Sequence, residues 1–144
     1  MGAVLVAPRV WEPFFGPAPG VWLRHGYTYS GHAMASAVAL ANLDVIEREG
    51  LLDEGSRLET TLVEKLTPLA DLDPVVEVRC GTGALAAVQL ADPPTAISFA
   101  KRLRSFGVAT RAVGAGGIQV SPPLVMTDDQ AGEITDAVAE ALTT

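Results

Sequence analysis

The 144-residue sequence has little of several residue types that mark whole classes of protein. Cys80 is the one cysteine, which excludes an internal disulfide and a cysteine-rich metal site. Ten Lys and Arg face seventeen Asp and Glu, a net charge of −7, and no basic run could displace counterions from nucleic acid or approach an anionic membrane. No apolar run reaches the ~18 residues of a transmembrane helix. We therefore expect a soluble, cytoplasmic protein without nucleic-acid or membrane partners.

The composition that remains is that of a folded domain. Apolar residues make up 49% of the chain and charged residues 19%, whereas disordered chains are poorer in the first and richer in the second. The length corresponds to about one domain, and a chain of this size normally buries enough surface to form a real core. Segments with the period of a strand alternate with segments of helical period, so the sequence predicts an α/β or α+β fold.

Periodicity predicts the individual elements of this fold. The predicted strands cover 2–6, 75–78, 84–90, 108–111 and 118–120, and the main predicted helices cover 34–46, 58–69, 94–106 and 127–142. A surface turn of helix and then a loop are predicted within 8–20. The first half of helix 34–46 is apolar all round, which indicates that it is buried. Strand 2–6 starts at the beginning of the sequence, so we expect either an edge strand or a chain cut from a larger protein.

Two glycine-rich turns suggest nucleotide binding at first sight. The run Cys80-Gly81-Thr82-Gly83 follows a predicted strand and is similar to the first motif of adenosylmethionine-dependent methyltransferases, where glycines let the backbone approach the cofactor. A strand rather than a helix is predicted next, however, and 96–106 holds no acidic residue for the ribose. A plain hairpin turn fits better. The turn at 114–117 lacks the Lys-Ser/Thr of a phosphate-binding loop, and His25 and His32 lack the partners of a metal site.

The stretch from His25 to His32 combines hydroxyls, phenols and glycines immediately before a predicted helix. The N-terminus of a helix binds anions through its free N–H groups and its dipole. The alternative is that Ser30 simply caps the helix. Residue chemistry alone leaves both interpretations open.

The same stretch also carries a family resemblance. His25-Gly26-Tyr27-Thr28-Tyr29-Ser30-Gly31-His32, followed by an Ala-rich helix, resembles the class III pyridoxal-phosphate aminotransferases, or ω-aminotransferases, which are fold type I enzymes. Three further segments match that family in order: 1–15, the strand Glu77-Val78-Arg79 with 81–85, and Arg111 followed by 118–124. The resemblance covers the whole chain, and Cys80 stands where the family often has Gly.

The resemblance implies a division of the chain and a missing catalytic residue. Residues 1–50 would be the tail of the large, cofactor-binding domain with a long interdomain helix. Residues 51–144 would be the C-terminal small domain, a short sheet covered by helices. The family's Schiff-base lysine would fall shortly before Met1, whereas Lys65 and Lys101 stand in no family context. We therefore expect a C-terminal fragment, about a third of a subunit, that contains no catalytic residue and is inactive alone.

The resemblance also assigns roles to three residues. Thr28 matches the threonine whose hydroxyl binds the cofactor phosphate of the neighbouring subunit, and Tyr27 would support that contact through its backbone. Arg111 matches an arginine that swings to pair with a substrate carboxylate, the alternative being an exposed charge at a strand end. The implied cofactor is pyridoxal 5'-phosphate, which this chain alone would not hold tightly.

The implied partners are an amino donor, a keto acid such as pyruvate and a second copy in a homodimer. Two other functions stay open at this point. One is a non-catalytic, self-associating module or remnant of an aminotransferase, and the other is a methyltransferase fragment.

Overall fold

A computed structural model describes residues 2–15 and 22–143 of the chain. The helices are α1 (Pro8–Phe15), α2 (Ala33–Arg48), α3 (Leu51–Leu66), α4 (Pro93–Arg102) and α5 (Asp128–Thr143). The strands are β1 (Val75–Arg79), β2 (Ala86–Leu90), β3 (Ala112–Val113) and β4 (Gly117–Val120). Short 3₁₀ turns at Thr67–Asp71 and Leu103–Phe106 follow α3 and α4. The predicted mixture of helices with a short sheet is confirmed.

The chain divides into two compact units, Met1–Ile46 and Glu47–Thr144. The second unit contains a four-stranded sheet in the order β1-β2-β4-β3, with antiparallel pairing throughout. Val88 at the centre of β2 pairs with Val78 on β1 and with Ile118 on β4. Since side chains alternate between the faces of a strand, this register aligns three apolar side chains on one face of the sheet.

That apolar face packs against helices and forms the core of the second unit. Alternate positions of β2 are buried, and so are Ile118 and Val120 of β4. The helices contribute residues that are apolar at helical spacing: Leu62, Leu66, Ala96, Phe99, Ala100, Val138 and Ala141. The opposite face of the sheet has no such layer in this unit, and its polar side chains are partly or fully exposed.

Local signals in the sequence explain where the helices begin and end. Thr127 and Gln130 form a reciprocal capping box at the start of α5: each backbone N–H donates to the other's side-chain oxygen, at 3.0 and 3.2 Å. Asp92 accepts from the backbone N–H of Thr95 at 3.1 Å and caps α4. Gly50, with φ of 61°, ends α2 and begins α3. These local contacts fix the starts of α4 and α5 and the boundary between α2 and α3.

Two strand predictions are wrong. Residues 2–7 form no strand, and their side chains are exposed, with Leu5 97% accessible. A strand needs a neighbour for its backbone hydrogen bonds, and the sheet of the second unit takes its strands from 75–120 only. The predicted strand 108–111 is replaced by the two-residue β3, because antiparallel pairing with β4 starts beside the turn at Gly114 to Gly116 and therefore uses Ala112 and Val113.

Helix α2 forms as predicted, but its predicted burial is wrong. None of its residues is buried, and the exposed fractions are 64% for Leu40 and 59% for Leu43. Periodicity establishes that these residues form a helix, whereas burial depends on a surface that packs against it. No helix within 2–15 and 22–143 is long and apolar enough to cross a membrane.

Candidate functional site

A tight turn immediately before α2 presents Thr28. The backbone N–H of Tyr27 donates to the Ser30 hydroxyl at 3.2 Å, and the Ser30 N–H donates back to the Tyr27 carbonyl at 3.0 Å. This reciprocal pair closes the turn on both sides, which leaves Thr28 at its outer corner. The Thr28 side chain is exposed, and its hydroxyl has no hydrogen-bond partner within the described residues. Tyr27 thus orders the turn through its backbone, and Thr28 carries the free hydroxyl.

His32, and not Ser30, caps α2, which corrects the interpretation of Ser30 as the cap. The backbone N–H of Ala35 donates to Nδ1 of His32 at 3.2 Å, and the Ser36 N–H donates to the His32 carbonyl at 3.0 Å. Ser30 is instead consumed by the turn with Tyr27. Gly31, with φ of 71°, links the two arrangements, since a left-handed backbone there turns the chain into the helix.

A cavity of about 550 Å³ adjoins this turn and helix end. It is lined by Gly2, Tyr27, Tyr29, Ser30, Gly31, His32 and Ala35. The His25 ring packs edge-on against the Tyr27 ring, with centroids 5.0 Å apart, at the same place. The first unit has two Arg and two acidic residues, so its formal charges cancel and the whole net charge of −7 belongs to the second unit. An anion at this turn therefore meets no net repulsion from its own unit.

Arg111 belongs to the second unit and lies one residue before β3. Its Nε donates to the side-chain oxygen of Gln119 at 2.8 Å, and its carbonyl accepts from the Gln119 backbone N–H at 3.1 Å. The Thr110 hydroxyl donates to the Gln119 carbonyl. These bonds continue the β3–β4 ladder by one pair, so Arg111 stands opposite Gln119. Both residues line a cleft of about 420 Å³ together with Ala109, Thr110 and Ser121.

The open face of the sheet carries two arginines in one row. Arg79 pairs with Ala87, Ala87 pairs with Gln119, and Arg111 stands beyond Gln119. Arg79 donates from Nε and Nη2 to Glu77 at 2.8 and 2.6 Å. This hydrogen bond and the attraction between the charges lower the pKa of Glu77 and raise that of Arg79. The charge of Arg79 is compensated, whereas Arg111 has a neutral partner.

The remaining candidate groups are not gathered into a site. Lys65 lies on α3 and Lys101 on α4, and neither lines the cavities described above. The Cys80 sulfur is 4.0 Å from the Thr67 hydroxyl, which makes it a partly buried thiol beside a weak partner. Within residues 2–15 and 22–143, no three His, Cys, Asp or Glu side chains form a cluster that could hold a metal ion. The Gly81–Gly83 turn is followed by β2 and not by a helix, so the methyltransferase interpretation gains no support.

Gln119 is the contact residue that sequence reasoning missed. A signal for it was present in the turn at Gly114 to Gly116. In a hairpin centred on this turn, residues equally far from its centre on the two strands stand opposite each other, so their residue numbers add up to about 230. Arg111 and Gln119 meet that condition, as do the ladder pairs Ala112 with Ile118 and Val113 with Gly117. The predicted strand 108–111 ends at Arg111 and omits Ala112 and Val113, so it did not indicate that Arg111 lies opposite Gln119.

Comparison with known proteins gives a consistent family. The family model described as Aminotransferase class-III matches residues 5–142. A probable aminotransferase of Mycobacterium tuberculosis is 33% identical over 158 residues, covering 99% of this chain and 33% of the relative. The beta-alanine–pyruvate aminotransferase of Pseudomonas aeruginosa is 30% identical over 149 residues, again 99% of this chain and 33% of the relative.

Solved structures agree with these relatives. A thermostable omega transaminase from Pseudomonas jessenii, in a six-fold mutant form, has a TM-score of 0.75 and 34% identity over 85% of this chain and 29% of its own. An amine transaminase from an uncultivated Pseudomonas species, in its pyridoxal-phosphate-bound form, has a TM-score of 0.76 and 38% identity over 84% of this chain and 30% of its own. The chain thus spans about a third of the length of the proteins that it matches.

Proposed function

Because the chain belongs to the class-III aminotransferase family, we propose that it forms the C-terminal part of a subunit that moves an amino group from an amine or ω-amino acid to a keto acid such as pyruvate. The observation that carries this proposal is the match of residues 5–142 to that family. Residues 1–50 would belong to the large domain with α2 as the interdomain helix, and 51–144 would form the small domain. A cytoplasmic location is part of the same proposal, since one cysteine is usual where thiols stay reduced.

The turn before α2 suits the phosphate of pyridoxal phosphate, the cofactor that family membership implies. When bound, this cofactor supplies an aldehyde that takes up amines and a ring that withdraws electrons from the neighbouring carbon. The Thr28 hydroxyl is exposed, and no protein acceptor in the described part of the chain competes with a phosphate oxygen for its hydrogen bond. We assign Thr28 as the phosphate donor and Tyr27 as the residue whose backbone orders the turn.

Thr28→Ala tests this assignment in a complex of the chain with the separately prepared N-terminal two thirds of a class-III aminotransferase. Loss of one charge-assisted hydrogen bond to a dianion should raise the cofactor dissociation constant roughly 10–100-fold. Thr28→Ser keeps the hydroxyl and is the matched control, which should stay close to the wild type. Cofactor absorbance in a titration gives the constant. Equal constants for Ala, Ser and wild type would mean that the phosphate binds elsewhere.

Arg111 is proposed to bind the carboxylate of a keto-acid or amino-acid substrate. A guanidinium offers parallel N–H donors that match the two oxygens of a carboxylate. The residues that line its cleft with it, Ala109, Thr110, Gln119 and Ser121, carry no negative charge that would occupy the guanidinium. Arg111→Lys retains the charge but loses the fork of parallel donors, so it should weaken carboxylate binding although no charge is removed.

The chain alone is proposed not to transaminate, because neither of its lysines is built for the chemistry. The reaction needs an amine that bonds the cofactor aldehyde and then moves a proton between two carbons. Lys101 is exposed on α4, and Lys65 lies partly exposed in the last turn of α3, so neither is enclosed in a buried pocket.

A turnover assay separates this proposal from an active chain. The chain is mixed with cofactor, a primary amine and pyruvate, and alanine is followed. We expect no alanine above the rate with cofactor alone, and alanine once the N-terminal portion is added. Alanine from the chain alone that disappears in Lys65→Ala or Lys101→Ala would refute the proposal. Colour is not a suitable readout, since exposed lysines form weak imines with the cofactor.

Self-association is the second property that we propose, in the form of a homodimer or larger homo-oligomer. Helix α2 exposes the apolar side chains of Met34, Val38, Leu40 and Leu43, and exposed apolar patches mark interaction surfaces. Leu40→Glu with Leu43→Glu should shift the chain toward a monomer in light scattering at micromolar concentration. Leu52→Glu, at an exposed leucine of α3, is the control and should not. A wild-type monomer at that concentration would contradict the proposal.

A further inference from the structure

Gln119 holds Arg111 in a way that determines which of its donors are free. The Nε–H of Arg111 is bound to the Gln119 side-chain oxygen at 2.8 Å, while neither Nη atom has a hydrogen bond recorded among the described residues. A guanidinium binds carboxylates either side-on, through Nε and one Nη, or end-on, through both Nη atoms. With Nε occupied, only the end-on mode remains.

The chemistry of the partner is as informative as its position. Gln119 is a neutral acceptor, so it fixes the guanidinium without neutralising it. Arg79, in the same row of the sheet, is bound through Nε and Nη2 by the Glu77 carboxylate, which compensates its charge. Of the two arginines on this face, therefore, only Arg111 is both held in place and left with an unbalanced positive charge.

Gln119 is itself well fixed. Its backbone belongs to β4, its N–H donates to the Arg111 carbonyl, and its carbonyl accepts from the Thr110 hydroxyl. The next row of the sheet is closed by Gln89, whose side chain donates to the Ala115 carbonyl at 2.6 Å in the β3–β4 turn. The oxygen that Gln119 offers to Arg111 thus stands on a strand and not on a mobile loop.

We infer that Gln119 is a positioning residue for Arg111, which holds the guanidinium through Nε and leaves both Nη atoms free for the two oxygens of a carboxylate. The inference rests on the proposed carboxylate-binding role of Arg111. Holding a flexible side chain in advance reduces the entropy that binding must otherwise overcome. A side chain without an acceptor at position 119 should therefore weaken carboxylate binding, while an acidic one should compete with the ligand for the same charge.

The test uses the full 144-residue chain with acetate as the probe, at constant ionic strength, followed by NMR of the arginine Nε–H signals. In the wild type, the Arg111 Nε–H should exchange with water more slowly than that of Arg104, whose side chain is exposed. Gln119→Met keeps the length of the side chain but removes the acceptor. It should raise the Arg111 exchange rate to that of Arg104 and weaken acetate binding roughly three- to tenfold.

Two further variants separate positioning from a general structural effect. Gln119→Glu keeps an acceptor for Nε, so exchange should stay slow while acetate binding weakens because the new carboxylate neutralises the guanidinium. Val76→Met, at an exposed residue of the edge strand β1, is the control and should change neither quantity at Arg111. Backbone amide signals of β4 report whether each variant is folded. If Gln119→Met does not fold, Gln119→Glu decides the question. Slow exchange with weaker acetate binding supports the role of Gln119, and unchanged acetate binding contradicts it.

The outcomes distinguish this inference from the proposal beneath it. Acetate binding at Arg111 that is equal in wild type, Gln119→Met and Gln119→Glu would overturn the role of Gln119 and leave Arg111 as a carboxylate site. Wild-type Arg111 signals that do not respond to acetate would overturn the carboxylate site and, with it, the role of Gln119. Slow exchange lost in Gln119→Met together with weaker acetate binding would support both.

Discussion

The hairpin that carries Arg111 and Gln119 leaves no room for a side chain at Gly117. A Cβ built there would lie 3.1 Å from the Val113 carbonyl oxygen, 3.2 Å from Val113 Cγ2 and 3.6 Å from Gln89 Oε1. The first of these atoms is backbone of the paired strand β3, so it can retreat only if the strand moves. Gly117→Ala should therefore push β3 away from β4 and loosen the pair formed by Arg111 and Gln119.

The expected cost follows from the size of the clash. Extra methyl groups in a well-packed place destabilise proteins by about 1–3 kcal/mol, and contacts of 3.1–3.2 Å require shifts of a few tenths of an ångström. With a urea dependence of about 1–3 kcal/mol per molar, the midpoint of unfolding should fall by roughly 1 M. Far-ultraviolet circular dichroism in a urea titration measures it.

Gly132→Ala is the matched control, because it adds the same methyl group where nothing lies within 4 Å. Gly132 is in the interior of α5, where alanine is favoured over glycine by about 1 kcal/mol. This variant should raise the midpoint, so the two substitutions are expected to have opposite signs. Gly117→Ala with a midpoint equal to or above that of the wild type would refute the argument from the Cβ contacts.

Three further predictions concern polar contacts of the second unit. Thr127→Ala removes one half of the capping box and should cost about 0.5–2 kcal/mol in urea unfolding, unlike Thr143→Ala at the far end of α5. Arg57→Met should lower stability, and less so in high salt, because Arg57 binds Glu54, Asp128 and the Met126 carbonyl and its pKa is raised by the two acids. Because Arg79 lowers the pKa of Glu77, the stability contributed by this pair is present at neutral pH and is lost as the pH falls below 4.5. Thermal melts of Arg79→Met should show a shallower decline in that range, and an unchanged pH profile would contradict the pair's contribution.

Local chemistry predicted much of the fold. The hairpin of β1 and β2, the helix ends at Gly50 and Gly107 and the capping box of α5 were all predictable, because each depends on residues only a few positions apart. Glycine accepts a positive φ, and Thr and Gln satisfy free N–H groups wherever they stand. These features need no information about the rest of the molecule.

Features that depend on a distant surface were not predictable in the same way. The apolar residues 2–6 have strand composition, but a strand exists only where a neighbour completes its hydrogen bonds. Helix α2 has an apolar first half, but its burial requires a partner, and Leu40 and Leu43 are exposed within this chain. The apolar composition of both segments indicates that they pack against another surface. The sequence pattern does not indicate whether that surface belongs to the same chain.

The candidate substrate site lies between these two cases. The Glu77–Arg79 pair follows from strand period alone, since positions two apart share a face and opposite charges there attract. That pair explains why Arg79 is not a free cation on the open face, whereas the role of Arg111 was inferred from the family resemblance. Finding Gln119 needed one more fact, the centre of the β3–β4 turn, because cross-strand partners are set by the turn and shift with it. A glycine-rich turn can be centred on several positions in the sequence. The observed centre pairs Gly117 with Val113, where a Cβ on residue 117 would lie 3.1 Å from the Val113 carbonyl oxygen.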